Sequence, residues 1–336
     1  MKSKGPKFLI LILLLTIVYG SYLNFRSSIL QAVLILDYNN RTYTLNVDDF
    51  NNFNLTFPNI TRTTIPIELL KGRYFNKIDS TKQAIKLFKK SISTNPYLKM
   101  AEGELSQAYY KLEDYDSAYF FGKNAFTFIP KNNTHRYGYF NSLVKRNDSI
   151  ELEAAFNIIK QDYNKGHWVH YLLSRKNISK KYTPHIDSIL NLYIEKFDTE
   201  STVSNNMLRS RLERGGQAVY SAVEISFEGE RLFNQKKYLE SAQTYELAIL
   251  VNPYDYTFFQ NAAIAYANTD KYEKALNYFD KVIYEFKIAD GKSHFYKGIL
   301  LLKLQEQEEA CKYLQQASVY NFSGESSSFI YSRYCN

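Results

Sequence analysis

The sequence of 336 residues lacks the short motifs that mark common enzyme classes. It contains no G-x-S-x-G nucleophile elbow, no H-E-x-x-H zinc motif and no glycine-rich dinucleotide fingerprint. Each of these motifs holds a nucleophile, a metal or a phosphate at a fixed spacing. We therefore expect no enzymatic activity, no catalytic residues and no cofactor.

A complete phosphate-binding loop is also missing. The tripeptide Gly291, Lys292 and Ser293 matches the end of such a loop, but Phe286 occupies the position where the loop requires a glycine. No strand is predicted before it. A nucleotide site is therefore not expected.

Metal ligands are sparse as well. His167 and His170 are three residues apart on a predicted helix and could share a metal, but no third histidine or carboxylate accompanies them. We expect a partly exposed pair around Trp168 and no bound metal.

Only two cysteines occur, Cys311 and Cys335. Neither lies directly after the apolar run at residues 8–25, which argues against anchoring through a lipidated cysteine. In an exported protein, an even number of cysteines in one short segment favours a disulfide. The alternative is a buried thiol at Cys311, beside Ala310, with Cys335 at a frayed end. Both interpretations remain open from the sequence.

The net charge of the chain is mild. The formal net charge of +8 is spread over lysine-rich segments that read as solvated helix surfaces. We expect no nucleic-acid partner.

The amino terminus has the pattern of a membrane-targeting segment. Lys2, Lys4 and Lys7 precede residues 8–25, which contain no charged side chain. This segment is just long enough to cross a bilayer, and the lysines place its start inside the cell. The abundance of Asn, Lys, Ile and Tyr is typical of bacterial proteins encoded by AT-rich genes. We therefore predict a signal anchor in the bacterial inner membrane, with the carboxyl-terminal domain in the periplasm; cleavage near Val18 and Gly20 would instead release the chain.

A pattern of small and aromatic residues returns every 34 or 35 residues in two runs. Small residues let two antiparallel helices approach closely, and aromatic residues fill the space to the next pair. The carboxyl-terminal run contains Gly229, Tyr238, Ser241, Tyr245, Ala248 and Pro253, then Ala263, Tyr272, Ala275, Phe279 and Val282, then Gly298, Leu304, Ala310, Leu314 and Ala317. The amino-terminal run contains Gly72, Phe75, Ala84, Phe88, Ser91 and Pro96, then Ser106, Tyr109, Leu112, Tyr115, Ala118, Ala125 and Pro130.

The amino-terminal run departs from the pattern in two places. Gly122 occupies a position at which the other copies carry an aromatic or leucine residue. A third copy from Asn133 keeps the spacing only loosely, through Leu143, Ala154 and Phe156.

These positions resemble the tetratricopeptide repeat. The resemblance implies an all-α fold, a helix-hairpin solenoid or superhelix, preceded here by one amino-terminal transmembrane or signal-anchor helix. It divides the chain into an anchor at 1–25, an Asn-rich spacer at 26–64, a first repeat module at 65–160, a divergent helical connector at 161–221, a second repeat module at 222–324 and a capping helix at 325–336.

The resemblance also implies a function in binding proteins or peptides. In this family the first helix of each hairpin lines a groove that contacts the partner. The positions that match are Arg73, Asn76, Lys77, Gln107, Tyr110 and Lys111 in the first module, and Glu230, Phe233, Asn234, Gln260, Ile264, Asn268, Ile299 and Lys303 in the second. The first groove is predicted to be polar and basic. Arg73, Gln107 and Glu230 depart from the clamp that some members use to bind chaperone tails.

A second resemblance suggests an alternative function. An apolar span and an Asn-rich spacer are followed by TIPIELLKGRYF, KKSISTNPYL and LSQAYYKLEDYDSAYFFGKNAF, and the chain closes with EEACKYLQQASVYNFSGESSSFIYSRYCN. Residues 8–160, which contain the first set, are similar to the periplasmic tail of bacterial polymerases and ligases of O-antigen polysaccharide. The closing segment resembles those of repeat proteins from Bacteroidetes. This resemblance implies an accessory role in surface polysaccharide assembly, in which the first groove contacts a glycan or a polymerase. The first hypothesis is a cell-envelope scaffold for protein partners.

Overall fold

The computed structural model describes residues 5–45, 49–50, 59–61, 63–197, 202–322 and 325–335. Within these residues the chain forms seventeen α-helices, and its only β-structure is an isolated bridge between Ile60 and Pro66. The prediction of an all-α fold built from helix hairpins is confirmed. Lys2 and Lys4 of the predicted basic start, and part of the predicted 26–64 spacer, lie outside the described residues.

Helix α1 (Gly5–Asn40) is longer than the predicted anchor. Its apolar part, beginning at Phe8, is long and apolar enough to cross a membrane, and large side chains such as Phe8, Leu13 and Phe25 are exposed. The helix does not end at residue 25 but continues for a further fifteen residues into the predicted spacer. An uninterrupted helix explains this, because neither proline nor glycine occurs between Gly20 and Asn40.

The last turns of α1 pack against the first hairpin. Leu34 is buried in one cluster with Leu69, Tyr74 and Phe75. The Tyr74 hydroxyl donates a hydrogen bond to the Leu45 carbonyl oxygen at 3.0 Å, which ties the segment after α1 to the same hairpin. The predicted membrane helix and the first repeat are thereby joined through packed side chains.

The chain divides into two compact units, residues 1–178 and 179–336. After α1, the helices of the first unit are α2 (Ile67–Lys77), α3 (Thr81–Thr94), α4 (Met100–Lys111), α5 (Tyr115–Phe128), α6 (Asn133–Arg146), α7 (Ser149–Ile159) and α8 (Lys165–Ser179). The helices of the second unit are α9 (Pro184–Lys196), α10 (Thr202–Glu213), α11 (Gly216–Asn234), α12 (Tyr238–Val251), α13 (Tyr256–Ala267), α14 (Tyr272–Asp280), α15 (Lys292–Lys303), α16 (Gln307–Val319) and α17 (Glu325–Cys335).

Close contact between small and large residues holds each hairpin together. A Cβ placed on Gly72 would lie only 2.4 Å from the Phe88 ring. A Cβ on Gly298 would lie 2.7 Å from the Cγ atom of Leu314. The small residue of the first helix is therefore required by the large residue of the second, which explains why the two recur together.

Gly122 obeys a different requirement. A Cβ at this position would lie 2.9 Å from the backbone nitrogen of Tyr139 and 2.6 Å from the Ser106 Oγ atom. The Ser106 hydroxyl in turn donates to the Ala118 carbonyl oxygen at 2.6 Å. Helix α6 thus approaches so closely that its backbone fills the space that an aromatic ring occupies in other copies. The departure from the repeat pattern has a steric cause.

The loose third copy is a hairpin of α6 and α7, but one of its three predicted positions is displaced by one residue. Leu143 and Phe156 are buried as expected. Ala154 is exposed, and Ala155 is the buried small residue instead.

The predicted connector is helical. Thr183 caps α9 by accepting a hydrogen bond from the Ile186 backbone nitrogen at 3.3 Å, and Pro184 occupies the first turn, as is common at helix starts. Among its large apolar side chains, Ile186, Leu190, Tyr193 and Phe197 are buried, whereas Leu192 is exposed.

The unequal repeat length has a local structural counterpart. The copies near Tyr256 and Gly291 are 35 residues apart, one more than the preceding pair. Between them, α14 continues as a π-helical segment, Lys281–Glu285, in which the Phe286 nitrogen bonds to the Lys281 carbonyl oxygen at 3.0 Å. A π-helical turn accommodates one additional residue without ending the helix.

The end of the chain folds back onto the last repeat. Cys311 on α16 and Cys335 on α17 are joined by a disulfide with a Cα–Cα distance of 5.5 Å. The Gln307 side chain also donates to the Tyr334 carbonyl oxygen at 2.5 Å. Helix α17 is therefore attached to the hairpin that precedes it.

Replacing Gly122 by Phe, the residue type that the repeat pattern would favour, should destabilise the first unit by roughly 3 kcal/mol, because the ring would overlap the backbone of α6. Asn124→Phe, two positions along the same helix at an exposed site, is the matched control and should have little effect. The measurement is urea unfolding of the purified chain in detergent, followed by fluorescence of Trp168, the only tryptophan. An equal midpoint for both variants would contradict this packing.

The disulfide should leave no free thiol in unreduced, denatured protein and should stabilise the attachment of α17 by roughly 2–4 kcal/mol. The measurement is mass spectrometry after thiol labelling of protein purified from cells without reductant. Cys311→Ser should then expose one reactive thiol, at Cys335. Two labelled thiols in the unsubstituted chain would show that no bridge forms.

Candidate partner-binding site

The residues predicted to line the first groove are largely engaged within the first unit. The Arg73 Nε atom lies 2.6 Å from the Glu104 Oε1 atom, and the Lys111 Nζ atom lies 2.5 Å from the Asp79 Oδ1 atom. The Lys111 ammonium also contacts the Asn76 carbonyl oxygen at 3.4 Å. Two of the three predicted cations are therefore paired with carboxylates, and the expected basic character of this groove is reduced.

Helix α1 covers part of the same surface. A cavity of about 220 Å³ between α1 and α2 is lined by Leu34, Ile35, Tyr38, Asn39, Ile65, Leu70 and Arg73. Arg73 thus faces the chain's own amino-terminal helix. Gln107 is half-buried, and its amide lies 3.4 Å from the Thr134 carbonyl oxygen. The sequence pattern could not show this, because the anchor and the repeat are separated by the spacer.

The second unit brings four predicted groove residues together in one pocket. Its volume is about 320 Å³, and it is lined by Glu230, Phe233, Asn234, Tyr245, Asn261, Ile264, Lys292 and Tyr296. We call this the C-terminal pocket. Glu230, Phe233 and Asn234 come from α11, Asn261 and Ile264 from α13, and Lys292 and Tyr296 from α15. Three successive first helices therefore contribute, as the repeat pattern predicts.

The other four predicted residues of this module do not line the pocket. Gln260 is buried, and its amide donates to the Ser293 hydroxyl at 3.0 Å and to the Asp290 carboxylate at 3.2 Å. Its prediction as a contact residue is wrong, because this internal network binds the start of α15 to α13. Asn268 bonds to the Ile264 carbonyl oxygen at 2.8 Å at the end of α13. Ile299 and Lys303 lie beyond the pocket, and the Lys303 ammonium lies 4.7 Å from the centre of the Tyr272 ring.

Sequence reasoning missed Tyr245, Asn261, Lys292 and Tyr296. The repeat register could have identified Lys292, because it lies six residues before Gly298, at one of the positions that face a partner in this repeat family. Tyr245 was interpreted only as core packing. Its ring fills the space beside Gly229, but its edge also reaches the pocket.

Burial shifts the pKa values of two polar groups in the pocket, those of Lys292 and Tyr245. Burial lowers the pKa of Lys292, whereas the nearby carboxylates of Asp290 and Glu230 raise it. The Lys292 ammonium donates to the Asn261 side-chain oxygen at 3.3 Å. Burial, together with Glu230, raises the pKa of Tyr245 to about 12, so its hydroxyl stays protonated at neutral pH. The pocket thus combines a carboxylate, a cation, two amides and two phenols with apolar walls.

The other sequence candidates have structural roles. Gly291 adopts a left-handed conformation, with φ of 72°, before α15, and Ser293 is buried in the Gln260 network. His167 and His170 are buried rather than partly exposed, so that expectation is wrong. Within the described residues, no group of three or more metal-ligating side chains occurs.

A comparison with protein families identifies one segment directly. Residues 256–285, which span α13, α14 and the π-helical segment, match the family model of the tetratricopeptide repeat. The predicted repeat is confirmed for this segment.

Similar solved structures include other proteins with this repeat. A tetratricopeptide repeat protein from Parabacteroides merdae is 16% identical, with a TM-score of 0.35, over 80% of this chain and 98% of that one. The TPR2AB domain of yeast Sti1, solved in complex with pHSP90, is 15% identical, with a TM-score of 0.32, over 80% and 97%. The P58(IPK) TPR domain is 12% identical, with a TM-score of 0.36, over 91% and 96%.

Burial of His170 should make the stability of the first unit sensitive to acid. Burial, with Arg136 and His167 nearby, lowers the pKa of His170 from 6.5 to about 3. The unfolded chain therefore binds a proton that the folded chain excludes, so stability is complete above about pH 6.5 and falls as the pH drops toward 3. The expected loss is about 1.4 kcal/mol per pH unit within this window.

Urea unfolding followed by Trp168 fluorescence between pH 7 and 4 measures this dependence. His170→Gln retains a hydrogen-bond acceptor for Arg136 but does not titrate, so its stability should vary less with pH by about that slope. Parallel pH profiles for the two proteins would contradict the assignment.

Proposed function

We propose that this chain is a non-catalytic scaffold of a bacterial cell envelope, anchored by α1, which binds a protein or peptide segment in the C-terminal pocket. The observation that carries the proposal is the convergence of Glu230, Lys292 and two asparagine amides beside apolar side chains. Proteins with this repeat typically serve as interaction scaffolds. The chain also lacks the catalytic motifs considered above.

The chemistry of the pocket suits a polypeptide. A peptide main chain offers alternating N–H donors and C=O acceptors, and Asn234 and Asn261 each carry both a donor and an acceptor. Phe233, Ile264 and Tyr296 supply apolar surface for a side chain. A volume of about 320 Å³ accommodates only a short part of a partner. Specificity then depends on how neighbouring residues of that segment meet Glu230 and Lys292.

The anchor proposal is supported by the exposure of α1. Eighteen residues from Phe8 to Phe25 span about 27 Å as a helix, close to the thickness of the hydrocarbon core of a bilayer. No side chain in this segment is buried against the rest of the described chain. Packing of Leu34 against Leu69 and Tyr74 would then hold the first hairpin close to the membrane surface.

The alternative function, an accessory role in surface polysaccharide assembly, depended on a basic first groove. The ion pairs of Arg73 and Lys111 weaken this basis. No contact in the described chain favours a glycan over a polypeptide. Protein binding is therefore the function we propose.

A photoreactive phenylalanine analogue placed at Tyr296 should crosslink a discrete protein in intact cells. The matched control is the same analogue at Tyr220, which is exposed on α11 outside the pocket. The double variant Glu230→Ala with Asn234→Ala should reduce the crosslinked fraction several-fold, because both residues line the pocket.

The control for that double variant is Glu224→Ala with Asn277→Ala, which makes the same chemical changes at exposed sites outside the pocket. Mass spectrometry of the crosslinked species identifies the partner. Equal crosslinking from position 220, or an unchanged yield in the pocket variant, would contradict the proposal. A crosslinked species that contains polysaccharide and no protein would favour the alternative function.

A further inference from the structure

A buried arginine in the first unit lacks an anionic partner. Arg136, on α6, is only 2% exposed and is among the largest fully buried side chains. A guanidinium remains charged at all physiological pH values, and removing it from water is costly unless an anion and hydrogen bonds compensate. Buried arginines are therefore normally paired with carboxylates.

The immediate surroundings of Arg136 are neutral. Its Nε atom donates to the His170 Nδ1 atom at 3.3 Å, and its Cζ atom lies 5.5 Å from the centre of the Tyr137 ring. Since His170 accepts at Nδ1, its Nε2–H donates to the Asn141 Oδ1 atom at 3.3 Å, and the ring is neutral. Burial and Arg136 also lower the pKa of His167.

No carboxylate of the described chain compensates the charge. Burial lowers the pKa of Arg136, and the only charged form that opposes this effect is the Tyr137 phenolate, which is not populated at neutral pH. The Arg136 Nη1 atom is buried and has no hydrogen-bond partner among the described residues. One side of the guanidinium is thus desolvated without compensation.

One edge of the guanidinium lies beside the start of α8. A Cβ placed on Gly166 would lie 3.8 Å from the Arg136 Nη2 atom and 3.2 Å from the Asn164 Oδ1 atom. Gly166 and Asn164 are both exposed. Because position 166 carries no side chain, a Cβ-sized notch at this exposed position adjoins the edge of the guanidinium. We call it the Gly166 notch.

The backbone at this notch also favours negative charge. Gly166 is the second residue of α8, a helix of fifteen residues, so its N–H group belongs to the first turn, where amides lack partners within the helix. The helix dipole adds partial positive charge at the same end. The Asp162 carboxylate, four residues before Gly166, is paired with Lys131 at 2.8 Å and lies 3.8 Å from the His167 Nδ1 atom.

We propose that the Gly166 notch binds an oxyanion, a phosphate or carboxylate group of a ligand, with the Arg136 guanidinium as its counter-charge. Charge-assisted hydrogen bonds from a guanidinium and a helix N-terminus are the usual means by which proteins hold such groups. The site lies in the first unit, apart from the residues of the C-terminal pocket, and so goes beyond the function proposed above. The buried charge of Arg136, with Nη1 lacking a hydrogen-bond partner among the described residues, is the observation that supports it.

The test is urea unfolding of the full chain in neutral detergent, followed by Trp168 fluorescence, which reports on α8. Sodium phosphate should produce a saturable rise in the midpoint relative to sodium chloride of equal ionic strength, because a ligand that binds only the folded state stabilises it. Sodium acetate distinguishes a carboxylate from a phosphate. Mixed micelles containing phosphatidylglycerol distinguish a lipid headgroup from a free anion.

Arg136→Met should abolish the rise while leaving stability in chloride equal or higher, since an unpaired buried charge is removed. The matched control Arg146→Met, at an exposed arginine of the same helix, should retain it. Gly166→Val closes the notch without altering Arg136 and should also abolish the rise; Gly216→Val, at an open glycine that begins α11, is its control. No rise with any of the three anions, or a rise that survives both Arg136→Met and Gly166→Val, would overturn the proposal.

Discussion

The hairpins of this protein depend on one steric constraint, the close approach of two helices at a small residue. At Gly72 and Gly298 the facing Phe88 and Leu314 leave no room for even a Cβ atom. Each such contact removes a large apolar side chain from water and sets the distance between the helices of a pair. The face of the first helix that points away from this contact can then form other contacts or remain open to solvent.

The contacts of this face differ between the two units. In the second unit, the polar faces of α11, α13 and α15 converge on a pocket that is open to solvent. In the first unit, the corresponding surface is engaged by α1 and by the ion pairs of Arg73 and Lys111. The same repeat pattern therefore leaves an open pocket in one unit and packs against α1 in the other.

Departures from the repeat pattern mark places where a neighbour imposes its own requirement. Gly122 is small because the backbone of α6 lies against it, and the additional residue before Gly291 is absorbed by a π-helical turn. Arg136 lies on α6 in the hairpin where the repeat pattern is weakest. Its buried guanidinium is a feature that the repeat pattern does not require.

The sequence by itself determined the helical class, the repeat period and the amphipathic positions, because these follow from local spacing that every copy repeats. The family resemblance also pointed to Glu230, Phe233, Asn234 and Ile264 as groove residues, and these four line the C-terminal pocket. Only the tertiary structure decided that Gln260 is buried, that Ala155 rather than Ala154 packs in the core, and that Arg73 faces α1. These outcomes depend on contacts between residues distant in the chain, and a repeat pattern carries no information about them.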